Sequence, residues 1–341
     1  MPDLLKKKNI DILEKEFGTI DTLSEQIISG DIRTLSRCIT LSESSREDHQ
    51  IFARAVLGKI LPKTGNSLRI GISGPPGVGK STFIETLGLY LLKKNKKIAV
   101  LAVDPSSAKS GGSILGDKTR MEKLSQSEKV FIRPSPAGRT LGGVGRHTRE
   151  ALLLCEAAGY DTIIVETVGV GQSEAAVSNI IDIFYLLISP GGGDELQGIK
   201  RGIVELADLI IINKADGSLK KDAENIARDY SSAVKLLRPR FNNWVTKVIT
   251  CSALENTGID KIWDFTEEFF QKFNKESEIL NYRKDQYRKW LREEIIQNLN
   301  KQIYSSKKVN ELIEFYENKV LVGDILPSDA AYEIVSNFLK K

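Results

Sequence analysis

Residues 74–81 read Gly-Pro-Pro-Gly-Val-Gly-Lys-Ser, between an apolar run at Leu68–Ser73 and a helical run at Thr82–Lys93. No other feature of the chain constrains its fold as strongly. A strand that ends in G-x-x-x-x-G-K-[ST] and continues as a helix is the phosphate-cradling P-loop of α/β nucleotide-binding proteins. Glycines at Gly74, Gly77 and Gly79 let backbone N–H groups turn inward around phosphates, where a Cβ would obstruct. Val78 and Thr82 belong to the same nucleotide-binding loop. The helix N-terminus adds a field that favours anions. Lys80 can reach the β- and γ-phosphates, and Ser81 can place its hydroxyl on Mg²⁺. The bland alternative is a glycine-rich turn, and the strand and helix on either side weigh against it.

Downstream of the loop, short apolar runs alternate with helical patterns. The predicted strands are Leu68–Ser73, Lys97–Asp104, Val130–Arg133, Thr162–Glu166, Ile183–Ser189, Leu209–Asn213 and Lys247–Cys251. Several are near-continuous Ile/Val/Leu runs, which belong to parallel strands buried on both faces. The expected fold is therefore α/β: a P-loop NTPase with a mostly parallel, doubly wound sheet. Before this core, residues 1–66 read as a helical N-terminal extension, with apolar positions at helical spacing and Gly30-Asp31 separating two short helices. The core spans 67–274. Residues 275–341 mix both charge signs with apolar Trp290, Ile295, Leu299 and Ile303, then Val309, Leu312, Ile313 and Tyr316. They read as two amphipathic helices, followed by a last helix that starts near Ser328 as N-cap.

Ligands on such sheets bind beyond the carboxyl ends of the strands, and every further motif lies at such an end. Asn213-Lys214-Ala215-Asp216 follows the sixth apolar run. Asp216 in this position can accept hydrogen bonds from guanine N1–H and the 2-amine. Adenine lacks both donors, so an unpaired carboxylate penalises ATP. Lys214 is expected along the base plane, and Asn213 is expected to brace the loop and approach guanine. Ser252-Ala253-Leu254 follows the last strand, where a backbone N–H can bind guanine O6. The four-residue N-K-x-D match is weak alone and becomes strong beside the P-loop. Asp104 ends the second strand, Glu166 ends the fourth, and Asp117 lies in Gly116-Asp117-Lys118-Thr119-Arg120. With Ser81 these three acids are the candidate Mg²⁺ ligands, since Mg²⁺ needs only one or two carboxylates beside phosphate oxygens. A solvated loop charge is the alternative for each acid. The N–H of Gly169 can sense the γ-phosphate. The glutamine that directly follows this glycine in Ras-type enzymes is absent: Val170 stands there, with Gln172 two residues on. Slow intrinsic hydrolysis follows as the expectation.

The segments Asp104-Pro105-Ser106-Ser107, Gly116–Met121, Arg133-Pro134-Ser135-Pro136, Leu141-Gly142-Gly143-Val144, Glu166–Glu174 and Gly193–Lys200 go beyond generic nucleotide signals. Together they resemble the methylmalonyl-CoA mutase-associated GTPase family, bacterial relatives of the human methylmalonic aciduria type A protein. Members were formerly labelled lysine/arginine/ornithine transport-system kinases. The resemblance covers nearly the whole chain. It implies a GTP/GDP- and Mg²⁺-dependent chaperone that assists an adenosylcobalamin-dependent acyl-CoA mutase in cofactor loading, protection or reactivation. It also implies a homodimer built through the C-terminal helices. Asp104, Asp117 and Glu166 match the family's magnesium-site acids. The 190–201 loop matches an extra switch segment, in which Lys200 is the candidate cation that reaches the phosphates when a partner binds. Lys80, Glu166 and Lys200 are thus the expected catalytic groups.

Charge and composition exclude other classes. With 49 basic and 45 acidic residues the net charge is only +4, and no basic stripe with interleaved aromatics suggests nucleic acid. Cys38, Cys155 and Cys251 are scattered and the only histidines are His49 and His147. There is no metallochaperone motif, and the unpatterned cysteines fit a reducing compartment. The N-terminus lacks an apolar signal region and carries acids, and no apolar run is long enough to span a membrane. A cytoplasmic enzyme is the expectation. Two further readings stay open at this point: a kinase acting on periplasmic transport binding proteins, and a scaffold that binds GTP without turnover. No evident kinase catalytic loop supports the first, and the intact Lys80, Ser81, Asp104 and Glu166 weigh against the second.

Overall fold

The computed structural model describes residues 2–104, 121–136, 143–167, 173–190, 201–241, 244–275 and 277–339. The chain forms two compact units, Met1–Arg283 and Lys284–Lys341. In the first, each apolar run becomes a strand: β1 Leu68–Ser73, β2 Ile98–Asp104, β3 Val130–Pro136, β4 Thr162–Thr167, β5 Ile183–Ile188, β6 Leu209–Ile212 and β7 Lys247–Thr250. They make one seven-stranded sheet in the order β3-β2-β4-β1-β5-β6-β7. Every neighbouring pair is parallel. Every residue of β5 and β6 is buried, as strands covered on both faces require.

Helices α1 Pro2–Phe17, α2 Ile20–Ile28, α3 Ile32–Glu43 and α4 Glu47–Ile60 precede β1. Two of them start on side-chain caps: Thr19 Oγ1 accepts from Thr22 N at 3.2 Å, and Asp31 Oδ1 accepts from Thr34 N at 2.6 Å, each satisfying an N–H that a helix start leaves without an intrahelical partner. Within the core follow α5 Lys80–Lys93, α6 Gly143–Ala157, α7 Ser173–Ser178, α8 Lys220–Ala233 and α9 Ile259–Lys275. On one face of the sheet, Phe83, Leu87 and Leu91 of α5 and Trp263, Phe269 and Phe273 of α9 share a core with Ile72, Val100 and Tyr185. On the other face α6 covers β2, β3 and β4, and α2, α3 and α4 pack on α6 in turn.

The ends of the strands opposite the P-loop carry a repeated device. Asp161, Asp182 and Asp208 each stand immediately before a strand, β4, β5 and β6. Their carboxylates accept from a backbone N–H at the start of the neighbouring strand: Lys97 N at 2.7 Å, Arg69 N at 2.9 Å and Phe184 N at 2.8 Å. In each case the Asp backbone N–H also donates to the carbonyl of that same residue. Two of these acids are buried and paired. Arg283 grips Asp182 through Nε to Oδ1 at 2.8 Å and Nη2 to Oδ2 at 2.6 Å, and donates to Ser67 O at 2.6 Å. Arg240 pairs with Asp208, whose carboxyl is pushed up to about 6 by burial against the opposing pull of that guanidinium. Arg69 closes a fork on Glu156 at 2.9 and 3.0 Å.

Removing one member of a buried pair leaves an uncompensated charge. Arg283→Met is therefore expected to lower unfolding stability by about 3–5 kcal/mol. The midpoint of a urea titration followed by circular dichroism checks this, and an unchanged midpoint would show that the pair contributes nothing.

The second unit begins within α10 Glu278–Ser305 and continues with α11 Lys307–Leu321 and α12 Pro327–Leu339. The last helix corrects the expectation for Ser328. The helix starts at Pro327, which places Leu326 at the N-cap and Ser328 inside the first turn. Pro at N1 loses no intrahelical bond and is preset in φ, and Leu326 O accepts from Asp329 N and Ala330 N at 3.1 and 3.0 Å.

Candidate functional site

The P-loop leaves β1 between the C-terminal ends of β4 and β5, the two strands that flank it. Its glycines are required by space as well as by φ. Gly74 has φ +156°, and a Cβ there would lie 2.4 Å from Leu187 O of β5. Gly79, the N-cap of α5, has φ +91°, and its Cβ would lie 2.8 Å from Asn213 Nδ2. Any side chain at either position displaces backbone or the side chain that holds the loop.

Lys80 opens α5 and curls back over the loop, its Nζ donating to Gly74 O at 2.8 Å and Pro75 O at 3.1 Å. Burial holds its ammonium below the ordinary lysine value, while Glu166 and Glu174 pull the other way. Glu166 is half-buried near the C-terminal end of β4, in register with Ile72 of β1 and Ala102 of β2. Glu174, on the first turn of α7, is fully buried and accepts from Ser73 Oγ at 3.4 Å. In the sequence Glu174 stands out only as the end of a longer motif. Its proximity to the start of the P-loop comes from α7 packing on β1 and β4. Ser81 follows Lys80 in the first turn of α5. Asp104 closes β2, and Val103 beside it is in register with Thr167. Asp117, Gly169 and Lys200 lie outside the described residues.

The second half of the site hangs from Asn213, buried at the end of β6. Its Nδ2 donates to Val78 O at 2.9 Å, and its Oδ1 accepts from Ala253 N at 3.1 Å. One side chain thus ties the P-loop to the loop after β7. Lys214, at φ +59°, reaches across and donates Nζ to Gly77 O at 2.6 Å. Asp216 accepts from Ser252 Oγ, and Ser252 Oγ accepts from Glu255 N at 3.0 Å. Leu254 is exposed at the rim. Asn213, Lys214, Asp216, Ser252, Ala253 and the P-loop thus converge at one end of the sheet, a cationic cradle beside a loop that presents a carboxylate.

A family model described as "Methylmalonyl Co-A mutase-associated GTPase MeaB" matches residues 35–308. The chain belongs to the MeaB family of GTPases. Two relatives show how far the similarity runs. The mouse methylmalonic aciduria type A homolog is 44% identical over 98% of this chain and 83% of its own length. GTPase ArgK of Escherichia coli is 46% identical over 89% of this chain and 91% of its own. Among solved structures, the crystal structure of an LAO/AO transport system kinase superposes with a TM-score of 0.74 at 35% identity, covering 94% of this chain and 98% of that one. The MeaB-family P-loop fold and GTPase class therefore agree with the P-loop reading. Among the described residues, no helix is long and apolar enough to cross a membrane.

Proposed function

We propose that this GTPase serves as a chaperone for an adenosylcobalamin-dependent acyl-CoA mutase, methylmalonyl-CoA mutase being the expected client. The observation that carries the reading is the family match, whose description names that mutase and which runs through the core and α10 to the start of α11. In this reading the P-loop from Gly74 to Thr82 cradles the phosphates of GTP or GDP, with Lys80 on the β/γ oxygens. Asp216 reads the guanine N1–H and 2-amine, Lys214 lines the base, and the loop at Ser252–Leu254 faces O6. The donor set of Ser81, Glu166, Asp104 and Asp117 is all oxygen, which suits Mg²⁺. Bound there, Mg²⁺ would neutralise charge on the β- and γ-phosphates. The N–H of Gly169 would contact the γ-phosphate, and Lys200 would supply a further cation once the mutase is engaged. A cytoplasmic location and a homodimer complete the proposal.

The similarity to a transport system kinase favours a second reading, in which the chain passes phosphate to a transport protein. Hydrolysis assays separate the two. GTP turnover is expected to rise at least about tenfold when a cognate mutase is added. Lys200→Ala is expected to bind GTP normally and lose that stimulation. Undiminished stimulation would remove Lys200 from the mechanism. No stimulation by mutase, with labelled phosphate appearing on a binding protein, would favour the kinase.

The dimer has its own support. Leu291, Ile295 and Leu299 of α10 recur every four residues, on one side of the helix, and remain 63%, 50% and 44% exposed. An apolar stripe of this kind marks a contact surface. Ile295→Glu is expected to shift the protein from dimer to monomer in light scattering at micromolar concentration, by burying a charge at the seam. A variant that stays dimeric would place the interface elsewhere.

A further inference from the structure

Ser81, the proposed Mg²⁺ hydroxyl, stands with Glu85 and Gly88 at positions i, i+4 and i+7 of α5, so the three share one face of that helix. Two contacts fix the segment Met121–Ser125 to this face. The segment forms a single helical turn, Glu122–Ser125, and Met121 at its N-cap position makes no side-chain capping bond. Glu85 supplies the cap from 38 residues earlier. Its Oε1 accepts from Lys123 N at 2.8 Å and Leu124 N at 3.4 Å, two of the N–H groups that a helix start leaves without intrahelical partners. Further along α5, Gly88 makes room for Leu124, since a Cβ there would lie 2.7 Å from Leu124 Cδ1. Met121 and Leu124 are fully buried in the core that α5 shares with the sheet.

The anchored segment directly follows Gly116-Asp117-Lys118-Thr119-Arg120, the motif that carries a proposed Mg²⁺ acid. Met121 is the fourth residue after Asp117, and a span of that length reaches at most about 14 Å. A single turn of helix does not hold its own place, because helix initiation is unfavourable without tertiary support. We infer that Glu85 is the positioning residue that pins this segment to α5 and thereby sets how well Asp117 serves the Mg²⁺ held by Ser81. The inference rests on the proposed reading of Asp117 and Ser81 as metal donors and adds the group that joins them. Glu85 acts through the backbone of Lys123 and Leu124 and not on the metal itself. Groups beyond the ligands that orient metal donors typically carry about tenfold to a hundredfold of metal affinity.

The test follows binding of a fluorescent, non-hydrolysable GTP analogue to the purified full chain, first in EDTA and then as Mg²⁺ is raised. Glu85→Ala removes the cap. It is expected to bind the analogue in EDTA within about twofold of the parent, and to need about tenfold more Mg²⁺ for half-maximal tightening. Glu85→Gln keeps an acceptor oxygen and should return the Mg²⁺ midpoint to within about twofold. Asp117→Ala is expected to raise the midpoint by itself. Adding Glu85→Ala to it should change the midpoint by less than about twofold, since a residue that acts through Asp117 then has nothing left to place. An equal loss of binding in EDTA would mean that Glu85 acts on the P-loop through α5. An unchanged midpoint in Glu85→Ala, or effects of the two substitutions that multiply, would mean that Glu85 does not place the acid; each of these results overturns the proposal. A midpoint unmoved by Asp117→Ala alone would instead overturn the underlying reading of Asp117 as a metal donor.

Discussion

Lys80→Ala is expected to cut single-turnover GTP hydrolysis by about a hundredfold to a thousandfold while leaving the thermal unfolding midpoint nearly unchanged. Phosphoryl transfer leaves the protein little covalent chemistry, so rate comes from positioning and from fixed charge aimed at the phosphate oxygens. Lys80 is the cation fixed at the start of α5, and its Nζ lies against Gly74 O and Pro75 O at the mouth of the loop. Burial strips part of its hydration and holds its pKa below the ordinary lysine value, so its charge acts in a medium less screened than water. The fold should survive because the side chain bonds only these two carbonyls among the described residues, and both sit on a loop anchored independently by Asn213. Rapid-quench phosphate release checks the rate, and a calorimetric scan checks the fold. Turnover close to the parent's would move the phosphate site away from Gly74–Ser81.

Asp216→Asn is expected to weaken GTP binding by about a hundredfold and to improve binding of the xanthine nucleotide. In the proposed reading the carboxylate accepts two guanine donors, and hydrogen bonds to a charged group are each worth about 1.5–3 kcal/mol. Asparagine replaces one acceptor by an N–H₂ donor, which opposes the guanine 2-amine and matches the 2-oxo group of xanthine. The Ser252 hydroxyl that bonds Asp216 can bond the asparagine carbonyl instead, so the loop should keep its position. Competition binding with GTP and XTP measures the exchange. A variant with unchanged preference would place the base elsewhere.

The sheet is readable from the chain because its strands are apolar runs buried on both faces, and such runs carry their identity locally. The seven predicted runs form the seven strands, with ends shifted by one residue at Lys97, Glu166, Ser189, Asn213 and Cys251 and extended past Arg133 to Pro136. The P-loop is readable for a similar reason: Gly74 and Gly79 answer steric demands that no other residue meets. Asn213 is expected to brace its loop, but its partners, Val78 O and Ala253 N, stand 135 and 40 residues away in sequence. Only the order in which strands join the sheet brings them together. The same holds for Thr86, an ordinary residue of α5 until its Oγ1 donates to Ala253 O, 167 residues away, at 2.8 Å. The acids before β4, β5 and β6 do carry a signal, an Asp directly ahead of each apolar run, but a charge at a strand entrance looks like a solvated loop residue. Burial of Asp182 and Asp208 depends on Arg283 and Arg240 arriving from far along the chain. Ser328 misleads for the opposite reason: a good capping residue is outweighed by Pro327, whose fixed φ starts the helix earlier.

Side-by-side phosphate release from GTP and ATP by the purified chain, in Mg²⁺, tests most directly the claim that one loop holds the phosphates while Asp216 selects the base. GTP is expected to turn over slowly and ATP with a kcat/KM lower by about a hundredfold or more, because adenine leaves the Asp216 carboxylate without its donors. Equal kcat/KM for the two nucleotides would contradict it.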